Sequence, residues 1–337
     1  MALLNRYVTA EQTGSGHEGT WLDPWSLSDF QMYAGPGMHV WVKSGDYAVS
    51  PSTTSYYDFL GSSQYNSSTQ TYGRPLIVQG FTESPGDLDD VELNTSNLSL
   101  FPRFRMVRPD GYFRITYYVS NVFAHSLVFM SDTTYSSGTV FISGGEFRAF
   151  KCAFMNENTT TTNSGVALSG SSGSYSLFHR CLFSGGTLNN TSGAVLGGIS
   201  KCVFIGCLFN ARLTVGQTLS DCVFDSCVFR CLRLGTSRIY GLKCGDSRIV
   251  VRGCVFDGFD DAVLITRSTS GSVTGFFYNN IFVNNEVCFA YGSTNELYTK
   301  DDTNVFNNAY LAVNSTFFGG TMGIGDNASL PDWPGIA

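Results

Sequence analysis

The chain has 337 residues, of which 43% are hydrophobic and only 14% charged, enough apolar material for a large core under a sparsely charged surface. A formal charge of −7 excludes a basic nucleic-acid footprint, because phosphate binding needs clustered Lys and Arg. No apolar run reaches the roughly 18 residues that a membrane span needs, so no membrane insertion is expected.

In chain order, residues 1–22 read as an N-terminal arm, broken by Gly14-Ser15-Gly16 and Gly19. Met1–Thr13 lacks an apolar segment flanked by basic residues, so no signal peptide is predicted. Asp23 followed by Pro24 is a helix-start signal, and Trp25, Leu27, Phe30 and Met32 follow at helical spacing. This predicts a capping helix over 23–34, stopped by Gly35-Pro36-Gly37. His39–Lys43 alternates as a strand. Residues 50–73, rich in Ser, Thr, Tyr and Asn, form an irregular excursion before a second strand over 74–81. Ser84-Pro85-Gly86-Asp87 is a turn. The acidic stretch Asp89, Asp90 and Glu92 reads as a surface loop, since it lacks the ligand spacing of a calcium loop. Further strands are predicted around Phe104, at 115–119, 127–130 and 140–142.

From Lys151 to Asn308 one phrase returns: a cysteine, a small or aliphatic residue, and a phenylalanine. It stands at Cys152–Phe154, Cys181–Phe183, Cys202–Phe204, Cys207–Phe209, Cys222–Phe224, Cys227–Phe229 and Cys254–Phe256. It continues without the thiol at Asn280–Phe282 and Asn304–Phe306. Taking lead phenylalanines at 154, 183, 204, 224, 256, 282 and 306, the return interval lies between roughly 20 and 32 residues, a solenoid period. Alternation puts each Cys and Phe on one face and the residue between them on the other. The expected core ladder is Cys152, Phe154, Cys181, Phe183, Cys202, Phe204, Cys222, Phe224, Cys254, Phe256, Phe282 and Phe306. Thiols in such positions, without paired Cys-x-x-Cys knuckles or nearby histidines, predict neither disulfides nor a metal centre, and no cofactor is expected. Free thiols also imply synthesis in a reducing cytoplasm.

These features resemble the right-handed parallel β-helix, or pectin-lyase-like, family, which includes polysaccharide-degrading enzymes and phage virion proteins. The order of helix, Pro-Gly, Val-x-Val-Lys and Gly-x-Tyr in residues 24–47 is similar to the start of the phage type. The resemblance implies an all-β fold. It is a single right-handed parallel β-helix over 23–310 with its capping helix, followed by a C-terminal cap or tail over 311–337. It also implies a non-enzymatic virion structural protein of a bacteriophage, a capsid decoration or a tailspike-like protein. The expected partners are itself, as a homotrimer, other virion proteins such as the capsid shell, and a host surface polysaccharide. The alternatives are a polysaccharide lyase or glycoside hydrolase on the same fold, and a glycan-binding adhesin.

Glycoside hydrolysis on such a fold needs paired carboxylates, whereas pectate lyases hold calcium with acidic clusters and use arginine as base. Asp260-Asp261 resembles the aspartate pair of polygalacturonases, but the family's Gly-His-Gly and Arg-Ile-Lys have no counterpart, since no histidine follows His179. Asp225, near Asp221, is the third candidate, in a region also carrying Arg230, Arg248 and Arg252. Turn chemistry explains the first pair, and a solvated face of alternating charges explains the rest. No catalytic residue is therefore predicted.

Overall fold

A computed structural model of the chain describes residues 3–11, 18–50, 56–58, 75–108, 110–116, 122–131, 139–143, 146–157, 167–170, 175–185, 194–197, 199–211, 214–232, 239–244, 248–266, 274–292, 303–306, 308–311 and 316–319. Its strands build three long parallel sheets of eleven, ten and ten strands, visited in rotation. One coil shows the plan. Cys202–Ile205 lies in sheet one, Leu208–Ala211 in sheet two and Thr214–Leu219 in sheet three. Cys222–Asp225 then returns to sheet one, with Phe204 in register with Phe224. Parallel neighbours require a crossover, and parallel crossovers are right-handed. The molecule is a right-handed parallel β-helix.

The Cys-x-Phe phrase occurs in two frames, which sequence periodicity alone had merged. Cys202–Phe204 and Cys222–Phe224 are sheet-one strands, stacked on Phe178. The phrases at Cys152, Cys181, Cys207, Cys227 and Cys254 instead place the thiol at the corner and the phenylalanine in sheet two. There Phe154, Phe183, Phe209, Phe229, Phe256 and Phe282 form one column, successive rings 4.5–5.1 Å apart. The doubled phrases are thus two successive strands of one coil. The two ring columns meet edge to face, as at Phe204–Phe209, 5.5 Å apart at 69°. Offset stacking within columns and T-shaped contact between them are the two favoured aromatic geometries. Register places Phe306 beside Tyr278 and Val305 beside the buried Phe277.

A two-residue corner joins sheet one to sheet two. Its first residue is left-handed in coil after coil: Lys151, Arg180, Gly206, Ser226, Gly253 and Asn279 have φ between 48° and 62°. Its second residue points inward and bonds to the preceding coil. The thiols of Cys207 and Cys227 donate to the carbonyls of Phe178 and Phe204 at 3.4 Å. Asn280 and Asn308 take over this job, their amides donating to Val251 and Phe277 carbonyls at 3.1 Å. The loss of the thiol after Cys254 is therefore a change from thiol ladder to amide ladder at one site.

The ends differ from the sequence expectation in detail. The helix spans Leu27–Tyr33 and is capped by Ser26, whose hydroxyl accepts from the Asp29 N–H while the Asp29 side chain accepts from the Ser26 N–H. Asp23 cannot cap it, because Trp25 is already paired as a bridge to Val8. Phe30 is fully buried with Val8, Trp25 and Val40. Leu4–Val8 pairs in parallel with Met38–Lys43, so part of the expected arm is the first strand of sheet one. At the other end Thr316–Gly319 pairs with Val287–Gly292 in sheet three, beyond residue 310. The tail from 320 lies outside the described residues.

The acidic stretch is a strap over the outside of sheet two. Leu88 and Phe101 are buried there against Val128, Met130, Ala153 and Leu182, a second small core outside the solenoid. Asp87 anchors the strap by accepting from the backbone N–H groups of Thr82, Glu83 and Ser84 and from the Thr82 hydroxyl.

Candidate functional site

Period-two alternation makes the outward columns of each sheet readable from register. In sheet one, two columns face outward. One runs through His39, Ile77, Phe123, Arg148, Leu177, Val203, Val223, Val250 and Phe276. The other, beside the corner, runs through Trp41, Gln79, His125, Phe150, His179, Ile205, Asp225, Arg252 and Tyr278. The first column turns apolar in the later coils, whereas the second carries the Asp225–Arg252 ion pair there.

Three of the four histidines share this outward face, spaced two strands apart along the sheet. His39 stacks on Trp41 with ring centroids 4.0 Å apart and donates to Gln79 Oε1 at 3.1 Å. Gln79 donates to Asp89 at 2.7 Å, and the Lys151 ammonium reaches the Asp89 carbonyl. His125 stacks on Phe150, which meets His179 edge to face. Burial holds all three imidazoles below their usual value. The Asp89 charge opposes this at His39 and His125, and Arg180 and Lys151 reinforce it at His179. Ser126 and Asp89 both approach the same nitrogen of His125, Nδ1, at 3.0 and 3.8 Å. A proton relay uses opposite ring nitrogens, so this group is not a nucleophilic triad. Its evident work is to tie the strap to sheet one. Sequence reading passed over these histidines because they are scattered in the chain. Their shared outward parity, at 39, 125 and 179, becomes visible only with the strand register.

The carboxylates singled out in the sequence are not brought together. Asp260 accepts from the Ile239 N–H at 2.8 Å, and its own N–H and that of Asp261 donate to the Ile239 carbonyl. Asp261 is buried where sheet three begins. Asp225 is on another sheet, held by the Arg252 guanidinium at 2.6 and 2.9 Å across one coil step, as Asp221 is held by Arg248 at 2.7 Å. The Arg252 contact holds the Asp225 carboxyl below the usual carboxylate range. Among the described residues no three His, Cys, Asp or Glu side chains converge as a metal site. No helix among them is long and apolar enough to cross a membrane. Asp246, Arg233, Arg238 and His17 lie outside the described residues.

The thiols of the ladder are closed off. Burial pushes Cys152 up to about 12 and Cys222 to about 11, and raises Cys202, Cys207, Cys227 and Cys254 well above the ordinary thiol value. Cys231 is the half-buried exception among the described thiols.

No protein family matches the chain by sequence, and no curated protein does. Among solved structures it is similar to a pectate lyase, Pel9A, at 14% identity and a TM-score of 0.55, over 95% of this chain and 79% of that one. A rhamnogalacturonan lyase is similar at 14% identity and a TM-score of 0.40, over 90% and 87%. The A-module of the mannuronan C-5 epimerase AlgE4 of Azotobacter vinelandii has 10% identity and a TM-score of 0.26, over 88% and 94%. The pectate lyase shares the right-handed parallel β-helix fold. At such identity the likeness speaks for architecture alone.

Proposed function

We propose that this chain is a non-enzymatic structural protein whose work is assembly, of the bacteriophage virion kind that its N-terminal order resembles, as a capsid decoration or tailspike-like protein. One observation carries the reading. Asp225, Asp260 and Asp261 are each held in the scaffold by an ion pair, a backbone contact or burial, while apolar columns face outward along two sheets. A hydrolase site needs two free carboxylates facing one bond, and a lyase site an acidic cluster beside a base; among the described residues neither is assembled. The test is turnover of neutral and acidic bacterial polysaccharides, followed by reducing ends and by absorbance of unsaturated products. The wild type should release no more than Asp260→Asn and Asp225→Asn. Product release by the wild type that Asp260→Asn abolishes would make it a hydrolase or lyase instead.

A second reading, glycan binding without turnover, is favoured by the stacked His39–Trp41 pair with the Gln79 amide bonded to His39, since aromatic faces with adjacent amides suit sugar rings. Loss of polysaccharide binding in Trp41→Ala, with unchanged stability, would support it.

A further inference from the structure

We propose that the N-terminal end of the solenoid docks a different protein, one whose surface offers an apolar socket rimmed by Lys and Arg. This rests on the assembly reading above and names the chemistry of the partner. The end is built from the first strand of sheet one, Leu4–Val8, and the capping helix, Leu27–Tyr33. Eleven large apolar side chains are exposed among the described residues, and five of them, Leu4, Trp21, Leu22, Met32 and Tyr33, belong to this end. The other six are spread from Leu100 to Ile281. Single exposed hydrophobes need no explanation, but five in one terminal layer do.

The five are held in place by their neighbours. Leu22 is 89% exposed and stands in a built turn, where the Thr20 N–H donates to the Asp23 carbonyl and the Asp23 N–H to the Thr20 hydroxyl, both at 3.1 Å. Trp21 beside it is 51% exposed, its ring meeting Tyr7 edge to face at 5.1 Å and Phe81 at 5.7 Å. Tyr33 leans on the buried Trp25 with ring centroids 6.0 Å apart, and Met32 precedes it on the helix. Side chains fixed before a partner arrives lose little entropy on binding.

The backbone decides how a partner makes contact. Along the outer edge of the first strand, the Tyr7 N–H donates to the Gly19 carbonyl and the Tyr7 carbonyl accepts from the Trp25 N–H. The Thr9 N–H donates to the Trp25 carbonyl, and the Asn5 carbonyl accepts from the Arg6 guanidinium. Strand addition needs an open edge, and this one is used by its own chain. Contact therefore runs through side chains, with Leu22 and Trp21 as the knob that enters a pocket.

The charges around the knob set the sign of the partner. Among the described residues from 3 to 37, Glu11 and Glu18 are exposed and Asp23 is half-buried. The one cation among them, Arg6, lies over the Trp25 ring with its Nε buried. Two such ends face to face would set acid against acid, so a second copy is disfavoured. An anionic lipid surface is disfavoured for the same reason. Lys and Arg around the socket match the rim. The five apolar side chains expose on the order of 500 Å², the range of a functional patch on a monomer. The acidic rim extends this towards the about 800 Å² per partner of a standard interface.

The experiment incorporates the photo-reactive residue p-benzoylphenylalanine in place of Leu22, in the full chain, within the cells that make it. Irradiation should link one protein other than this chain, through a peptide whose apolar residues are flanked by Lys or Arg. Met32→Glu, and Glu11→Lys combined with Glu18→Lys, should each cut the yield of that link about tenfold, the effect of one lost anchor, at an unchanged thermal midpoint. A link to this chain itself, to lipid, to a peptide without basic neighbours, or to nothing would overturn the docking surface. So would a yield indifferent to both variants. No link and no product release removes the docking surface and leaves the non-enzymatic reading standing. Product release abolished by Asp260→Asn refutes that reading, whatever position 22 links to.

Discussion

The rings of Phe204 and Phe224 stack in consecutive coils with centroids 4.9 Å apart and planes 6° apart. Phe204 also lies on Phe178 at 4.9 Å and meets Phe183 and Phe209 edge to face. Removing its ring loses burial and leaves a cavity that three neighbouring coils cannot fill. Phe204→Ala should cost about 3–5 kcal/mol in denaturant melts. A loss below about 1 kcal/mol would contradict the columnar core.

Asn280 tests the corner ladder. Its Oδ1 accepts from the Cys254 N–H at 2.9 Å while its amide donates to Val251, and both bonds are buried. Asn280→Ala leaves a buried donor and a buried acceptor unpaired and should cost about 2–4 kcal/mol. Asn280→Cys should cost less than half of that, because Cys254 at the same site receives the Cys227 N–H and reaches the Phe224 carbonyl. Equal losses in the two variants would show that the thiol and amide ladders are not interchangeable.

How much of this was legible in the sequence follows from which interactions are local in it. Strand parity at Cys202–Phe204, and the solenoid itself, could be read because alternation and recurrence are written into neighbouring residues. The assignment of Cys202 to a strand and Cys207 to a corner could not, since both begin the same three-residue phrase. The corner is set by a left-handed residue, and at Lys151 and Arg180 that residue is not glycine, so no turn signal marks it. The strap was visible as a loop, but its burial of Leu88 and Phe101 depends on strands far away in the chain. The helix start was misplaced for a related reason. Asp23-Pro24 is a sound local signal, overruled by the pairing of Trp25 with Val8.

Gly241 tests the register of sheet three. A methyl group there would collide with the backbone carbonyl of Ala262 on the adjoining strand. That carbonyl cannot retreat without loosening the pairing of Tyr240 with Asp261 and Leu242 with Val263. Gly241→Ala should therefore destabilise the protein by about 1–3 kcal/mol. An unchanged denaturation midpoint would place the two strands in a different register.

Asp87 gives the strap a pH dependence. Burial disfavours its charge, but the hydrogen bonds it accepts from Thr82, Ser84 and Glu83 prevail and hold its pKa at about 2. A carboxyl depressed in the folded state stabilises fully above its unfolded value of roughly 4, and that contribution is lost as pH falls towards about 2. Protection of the amides in residues 82–101, relative to their intrinsic exchange rate at each pH, should fall across this window in the wild type. In Asp87→Asn it should already be lower at pH 6. Strap protection that ignores both pH and the substitution would contradict the anchoring role.

The central claim, function by assembly, is tested most directly by the native mass of the purified protein at micromolar concentration. Three chains of 36.7 kDa in one particle is the predicted result. A stable single chain of 36.7 kDa would contradict it.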